Sequence, residues 1–449
     1  MVISLQQEYY HSVTLNVDKC KGCTNCIKGC PTEAIRVRKG KAHILENKCI
    51  DCGECIRICP NGAKYAITDN LSKLKEFKFN VALPAPSFFG QFKKEASIKS
   101  IIFALKKIGF DEVYQVPLAA EEVSIAIREY INTHKEMRPL ISSSCPAVLR
   151  LIQVRFPELI KNIMPVKPPM EIAAQRAKEI IIEKMGLRPE EIGAFFISPC
   201  PAKVTAVRQP LGLNKSSVDG VISISEIFGD IVKNLGDDEE EQASIFGEAS
   251  GLGIGWGRAG GENLAIGGDN YLAVDGIHNC IGVLEEIEMN KLPDIDYIEC
   301  QACIGGCIGG ALAVESQYIA RVKIRRLSEK LGTKSPIKKE KVIEDFRKGY
   351  FDLENAILPK PSMKLDDDLS EAIRKMELLE KTVKDLPGLD CGSCGSPNCR
   401  ALAEDIVKGQ ANEEDCIFKL RDRVKQLAGE MYDLAQKLPP TLDAKERQE

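Results

Sequence analysis

The stretch "ECQACIGGCIGG", residues 299–310, places three cysteines close together and then a run of glycines. A cubane iron–sulfur cluster or a structural zinc takes four ligands, so three cysteines raise the question of what completes the set. Two isolated cysteines answer it. Cys145 lies in "PLISSSCPAV" and Cys200 in "FFISPCPAKV", each at the end of a strand-like run and before a helical one. Together with Cys303 and Cys307 they make four thiolates at one edge of an α/β sheet, where such folds place their sites. A single lone cysteine usually reads as a small buried hydrophobe. Four of them at a sheet edge, beside further cysteine runs, read as ligands.

The bulk numbers fit this picture. A chain of 449 residues is long enough for two to four domains with at least one sizeable core. Its 44% hydrophobic and 28% charged content is that of an ordinary globular protein. No apolar run reaches the length of a membrane span, and the N-terminus lacks a basic start followed by an apolar core. The expectation is a cytoplasmic protein with no membrane partner. A net charge of −4 argues against nucleic acid as the main partner. The 18 cysteines are too clustered for a disulfide scaffold and point to metal.

Residues 1–78 hold short strand-like pieces between cysteine runs. From 79 the texture changes to apolar strands ("FNVALPAP", "EVYQV", "RPLISSS", "GAFFISP", "GVISI") alternating with helical stretches, an α/β domain ending near 330. The acidic run at 237–241 reads as a solvated loop. Residues 331–366 are polar and Lys/Pro-rich and are expected as a linker or surface excursion. A helix with Leu369, Ile373, Met376, Leu379, Val383 and Leu386 at helical spacing opens the next domain, 367–416, and a heptad helix and tail fill 417–449.

"CKGCTNCIKGCP" (20–31) and "CIDCGECIRICP" (49–60) are two copies of C-x2-C-x2-C-x3-C-P. One zinc cannot use four cysteines packed this densely in two adjacent sets. Paired cubanes can, because the first three cysteines of each set wrap one cluster and the fourth crosses to the other. The assignment is Cys20, Cys23, Cys26 and Cys59 for one 4Fe-4S cluster, and Cys49, Cys52, Cys55 and Cys30 for the second. The segment resembles a small α+β bacterial ferredoxin carrying two clusters, and its role is electron transfer.

The middle domain resembles the catalytic domain of the iron-only (FeFe) hydrogenases. That family carries three signatures, and "SSSCPAV", "SPCPAKV" and "ECQACIGGCIGG" follow them in order. Weaker echoes are "VDGVISISE" (218–226), "SGLGIGWGRAGG" (250–261) and "VDGIHNC" (274–280). The resemblance implies that Cys145, Cys200, Cys303 and Cys307 ligate the cubane of an H-cluster. Cys307 would also bridge to a diiron subcluster bearing CO, cyanide and a dithiolate amine. It implies that Lys203 hydrogen-bonds one cyanide and that Ala85 and Ser87, in "APS", cradle the other. Two pocket methionines of the family are replaced here by Ser198 and Gln301. Cys300 and Cys280 are left as structural. The proton-handing cysteine of efficient members is replaced by Ser144, whose hydroxyl has no accessible pKa near neutrality. Of the expected relay carboxylates near Glu121 and Glu122, Ile125 replaces one and only Glu122 remains as a candidate.

"CGSCGSPNCRALAEDIVKGQANEEDC" supplies Cys391, Cys394, Cys399 and Cys416, four thiolates that could take zinc or a cubane. The pattern resembles the small four-cysteine domain of corrinoid and membrane electron-transfer proteins, and the resemblance favours a third accessory 4Fe-4S cluster. Beyond it, Ile417, Leu420, Val424, Leu427, Met431, Leu434 and Leu438 repeat at spacings of three and four up to Pro439-Pro440. This fits either a helix packed on its own domain or a coiled coil, and the coil implies a homodimer or a docked signalling partner. The resulting expectation is a slow, reversible hydrogenase of the sensory subclass, acting on H2 and protons with a ferredoxin-like electron partner. The alternatives are a metabolic ferredoxin-dependent hydrogenase and a non-catalytic relative among the iron–sulfur assembly factors.

Overall fold

The computed structural model describes residues 9–93, 96–236, 244–360, 365–366 and 368–437. The acidic run at 237–241, Leu438 and the Pro439-Pro440 stop lie outside them. The chain divides into two compact units, Met1–Asn16 with Glu46–Ser362, and Val17–Leu45 with Met363–Glu449.

The larger unit is α/β and is built on two parallel sheets. The first has four strands in the order Glu112–Val113, Phe79–Pro84, Ile192–Ser198, Gly220–Ser223. Every residue of Ile192–Ser198 is buried, as a strand covered on both faces by helices must be. The second sheet orders Tyr271–Asp275, Tyr297–Gln301 and Leu140–Ile141. Two of the expected strands shrink to two residues each. "EVYQV" stops at Val113 because Pro117 opens the helix Val116–Thr133, where its fixed φ suits a first turn. "RPLISSS" stops at Ile141, and its serines turn their hydroxyls inward: Ser142 to Glu262 and Ser143 to the Val166 carbonyl.

The stretch expected as a linker is part of this unit's core. The helix Gln317–Leu331 runs to its edge, and Lys339–Arg347 forms another helix that buries Val342. Phe351 is fully buried, and its carbonyl accepts from the Lys167 amide at 2.7 Å. Asp345 accepts from Arg176, which also pairs with Glu122. A polar, Lys-rich composition concealed a few apolar anchors spaced far enough apart to escape a periodicity search.

The smaller unit joins the first cysteine motif to the C-terminal cysteine domain. A hairpin, Ile35–Arg38 with Lys41–Ile44, follows Cys30. The helices Leu369–Asp385 and Cys399–Val407 bury Leu379, Leu386, Leu402, Ala403 and Cys416 together. Asp405 is buried and binds Arg36 at 2.6 Å, Arg38 at 2.7 Å and the Ser396 hydroxyl at 3.0 Å. The helix Ile417–Ala435 forms as the heptad pattern predicts and buries none of its residues.

Candidate iron–sulfur and hydrogen-converting site

Four parallel strands of the larger unit end at one cavity. Past Pro84 comes Ala85, past Ser198 comes Cys200, past Ile141 come Ser144 and Cys145, and past Gln301 come Cys303 and Cys307, and all these residues line the cavity. The carboxyl ends of parallel strands are where an open α/β sheet leaves its crevice. Cys145 and Cys200 each stand immediately before a helix that begins with proline, Pro146–Arg155 and Pro201–Arg208. The rigid start fixes the cysteine at the helix entrance.

The four thiols are held in apolar surroundings. Burial pushes Cys145 up to about 11 and Cys200 up to about 12, with neighbouring thiols adding to the effect on Cys200. Cys303 and Cys307 are raised for the same reason. Four converging sulfurs that resist ionisation alone become stable thiolates when iron neutralises them. Gly306 has φ +93, and a Cβ there would lie 2.3 Å from Gln301 Oε1 and 2.5 Å from the Ala259 nitrogen. The loop between Cys303 and Cys307 therefore tolerates no side chain at this point, which suits close backbone approach to a bulky cluster. Gln301 Oε1, in a side chain lining the cavity, has no partner among the described residues. The four-thiol donor set and the side-chain-free approach at Gly306 fit an iron–sulfur cubane in this cavity.

Lys203 lines the same cavity, its Nζ donating to the Ser144 carbonyl at 2.8 Å. Ala85 lines it too, and the Ser87 hydroxyl is buried with no partner among the described residues. Ser198 instead turns its hydroxyl onto the Cys200 backbone, donating to the carbonyl at 3.0 Å and accepting from the amide at 3.1 Å. Glu122 does not reach the cavity. It pairs with Arg176 at 2.9 Å, so its carboxylate is committed to a structural ion pair. Cys280 and Cys300 are fully buried and hydrogen-bond each other, with the Cys280 thiol also 3.5 Å from the Gln301 carbonyl.

The carboxylate that does meet Ser144 is Glu262. It is completely buried and receives the Tyr297 hydroxyl at 2.6 Å and the Ser142 hydroxyl at 2.9 and 3.0 Å, with Ser144 Oγ at 3.5 Å. Burial, opposed by those hydrogen bonds, holds its pKa up at about 7. Glu299, the first residue of "ECQACIGGCIGG", is also buried and accepts from the Gly260 and Asn263 amides, both at 2.9 Å. Burial and the Glu262 charge raise it as well. Glu262 has no spacing to Ser144 or to any cysteine that a reading of the chain could have used, whereas Glu299 stands inside the quoted cysteine motif.

The two N-terminal motifs share one backbone plan. The residue after the second cysteine is left-handed in both, Thr24 and Gly53, and opens a single helical turn, Asn25–Lys28 and Glu54–Arg57. The fourth cysteine of each accepts an amide four residues on, Ala34 to Cys30 at 3.2 Å and Ala63 to Cys59 at 3.3 Å. Amide–sulfur bonds of this kind support cluster thiolates. Cys20, Cys23, Cys26 and Cys30 belong to the smaller unit, as do Cys391, Cys394, Cys399 and Cys416; Cys49, Cys52, Cys55 and Cys59 belong to the larger.

Parallel-strand ends converging on four sulfurs, flanked by repeated cysteine motifs, define an iron–sulfur redox protein. The family described as iron only hydrogenase large subunit, C-terminal domain, matches residues 78–267 and 262–311, and the chain belongs to that family. A 4Fe-4S dicluster domain matches 12–60, and an Fe-S cluster domain matches 386–418. The chain is 25% identical over 362 residues to the periplasmic [Fe] hydrogenase large subunit of Nitratidesulfovibrio vulgaris, covering 67% of this chain and 86% of that one. It is 24% identical over 354 residues to the cytosolic Fe-S cluster assembly factor oxy-4 of Caenorhabditis elegans, covering 68% and 73%. A variant of the [FeFe]-hydrogenase HydA1 from Chlamydomonas reinhardtii has the same fold, with a TM-score of 0.52 at 16% identity over 65% of this chain and 98% of that one.

Proposed function

We propose that the chain interconverts H2 with protons and electrons at an H-cluster in the cavity, slowly, and serves as an H2 or redox sensor. The observation that supports this most directly is the convergence of Cys145, Cys200, Cys303 and Cys307 with Lys203 on one apolar cavity. In this reading the four cysteines would hold a cubane, Cys307 would also serve the diiron unit, and Lys203 and the Ala85–Ser87 segment would hold its cyanides. The diiron unit, when bound, supplies the iron at which H2 binds and splits.

The chain's own groups supply the rest. Cavity walls of proline, alanine, Met170, Phe196 and Trp256 exclude water. Ser144 and Glu262 offer protons a route, with Glu262 holding one near neutrality and Ser144 passing it across a 3.5 Å gap. A hydroxyl is a weaker relay than a thiol because it ionises far less readily, which is the physical reason to expect slow turnover. The accessory cysteine motifs would hold three cubanes that supply an electron route between the cavity and a ferredoxin-like partner, and the helix Ile417–Ala435 offers a seam for a second copy or a signalling protein.

Infrared spectroscopy on protein matured with the diiron cofactor tests the proposal. Carbonyl and cyanide bands are expected. Their absence would leave the reading as an assembly-factor relative, and bands combined with fast H2 turnover would favour a metabolic hydrogenase over a sensor.

A further inference from the structure

The second cysteine motif does more in the larger unit than supply ligands to its own cluster. Cys52 lines the cavity alongside Cys145, Cys200, Cys303 and Cys307. The next residue, Gly53, has φ +78, and a Cβ there would lie 2.7 Å from the Ala311 methyl and 2.8 Å from Pro201 Cγ. Pro201 follows Cys200 and Ala311 closes the glycine run after Cys307, so the motif touches two of the three loops that carry cavity cysteines.

Arg57, between Cys55 and Cys59 in this motif, extends the contact. Its Nη1 donates to the Gly309 carbonyl at 2.7 Å and its Nη2 lies 3.7 Å from Cys303 Sγ. Glu54, one turn earlier, stands 3.4 Å from the same Nη2 and steadies the fork. A guanidinium is always charged and holds two acceptors in fixed geometry. Donation from a cation to a thiolate draws electron density off the sulfur, which favours the reduced form of the attached cluster.

We propose that Arg57 is the positioning residue that couples the second-motif cluster to the cavity cubane, donating to the Cys303 thiolate and raising that cubane's reduction potential. The role rests on the hydrogenase reading of the cavity. With both clusters bound, one electron would pass from the reduced second-motif cubane to the cavity cubane, with no proton or bond changing place. Arg57 makes the acceptor easier to reduce and supplies a short path, from the Cys55–Cys59 backbone through its side chain to the Cys303 sulfur.

The test uses full-length, cluster-loaded protein in anaerobic potentiometric titrations. EPR follows all the cubanes, and the infrared bands, whose ligands would sit on the diiron unit joined to the cavity cubane, respond to that site and not to the accessory cubanes. Arg57→Gln should shift the cavity cubane to more negative potential while the other cubanes keep theirs. Arg57→Lys, which keeps the charge and loses the fork, should recover part of the shift. Iron content and thermal unfolding matched to the parent show that both variants are folded. An unchanged cavity potential in Arg57→Gln, or an equal shift of every cubane, overturns the role. Infrared bands missing from the parent count against the hydrogenase reading alone. In that case the EPR signal abolished by Cys303→Ser still reports the cavity cubane, and its potential in Arg57→Gln still decides the matter.

Discussion

At the scale of single residues, the proposed chemistry turns on how a proton is kept next to the cysteine-lined cavity. Ser144 occupies the place from which protons would enter, and Glu262 stands behind it with Tyr297 and Ser142 bound to the same carboxylate. Restoring a thiol by Ser144→Cys should raise H2 turnover by roughly tenfold or more, within the range of a positioned acid–base group. Glu262→Gln keeps the shape and removes the titrating proton, and should lower turnover by about a hundredfold with the KM for H2 unchanged. Glu262→Asp should fall between. Equal rates in all three proteins would mean that protons travel elsewhere. The same carboxyl gives stability a pH dependence. Its folded pKa of about 7 lies above the ordinary value of 4.5, because burial disfavours the ion. The folded state therefore binds more protons than the unfolded chain across that interval, and stability is full below 4.5 and falls as pH rises towards 7. Anaerobic unfolding at pH 5 and pH 7.5 should show the loss in the parent and a smaller one in Glu262→Gln.

At the scale of elements, the smaller unit depends on one buried carboxylate. Arg36 and Asp405 have side chains only 4% exposed, and Arg38 shares the same oxygen. Removing the carboxylate charge leaves Arg36 buried and uncompensated, which typically costs about 3–5 kcal/mol. Asp405→Asn should therefore speed amide exchange in the helix Cys399–Val407 and leave that in Pro169–Met185 unchanged. Exchange that stays the same in both helices would show that the cluster, not the ion pair, holds the unit. This element also marks the limit of what the chain alone discloses. Cysteine spacings were readable because each motif is local, and strand-plus-cysteine runs such as "FFISPCPAKV" carry their own geometry. Arg36 and Asp405 are 369 positions apart, Arg57 and Cys303 are 246 apart, and Ser142 and Glu262 are 120 apart. No periodicity links such pairs; only the fold does. Helix lengths were legible where apolar spacing was regular, as in Leu369–Asp385. The short strands at Glu112–Val113 and Leu140–Ile141 were overestimated because β-branched and apolar residues there serve the core from turns and helix starts.

At the scale of the whole molecule, the question is what covers the last helix. Among the described residues no helix is long and apolar enough to cross a membrane. Yet Ile417, Leu420, Val424, Leu427, Met431 and Leu434 are all exposed, between 43% and 70%. They fall at alternating a and d positions, so their side chains share one face of Ile417–Ala435. Scattered exposed apolar residues are ordinary, but a continuous stripe on one helix marks an interaction surface. A second copy of the same helix presents the matching stripe, and each apolar side chain fully buried between two copies contributes about 1.5–3 kcal/mol. Light scattering on the cluster-loaded chain should give the mass of a dimer. Leu427→Glu, at the centre of the stripe, places a charge on both helices and should weaken the dimer at least about a hundredfold. Iron content and the infrared bands should not change, because the substitution lies outside the sulfur sites. A parent chain that runs as a monomer at every concentration would remove the self-pairing and leave the stripe to a different protein.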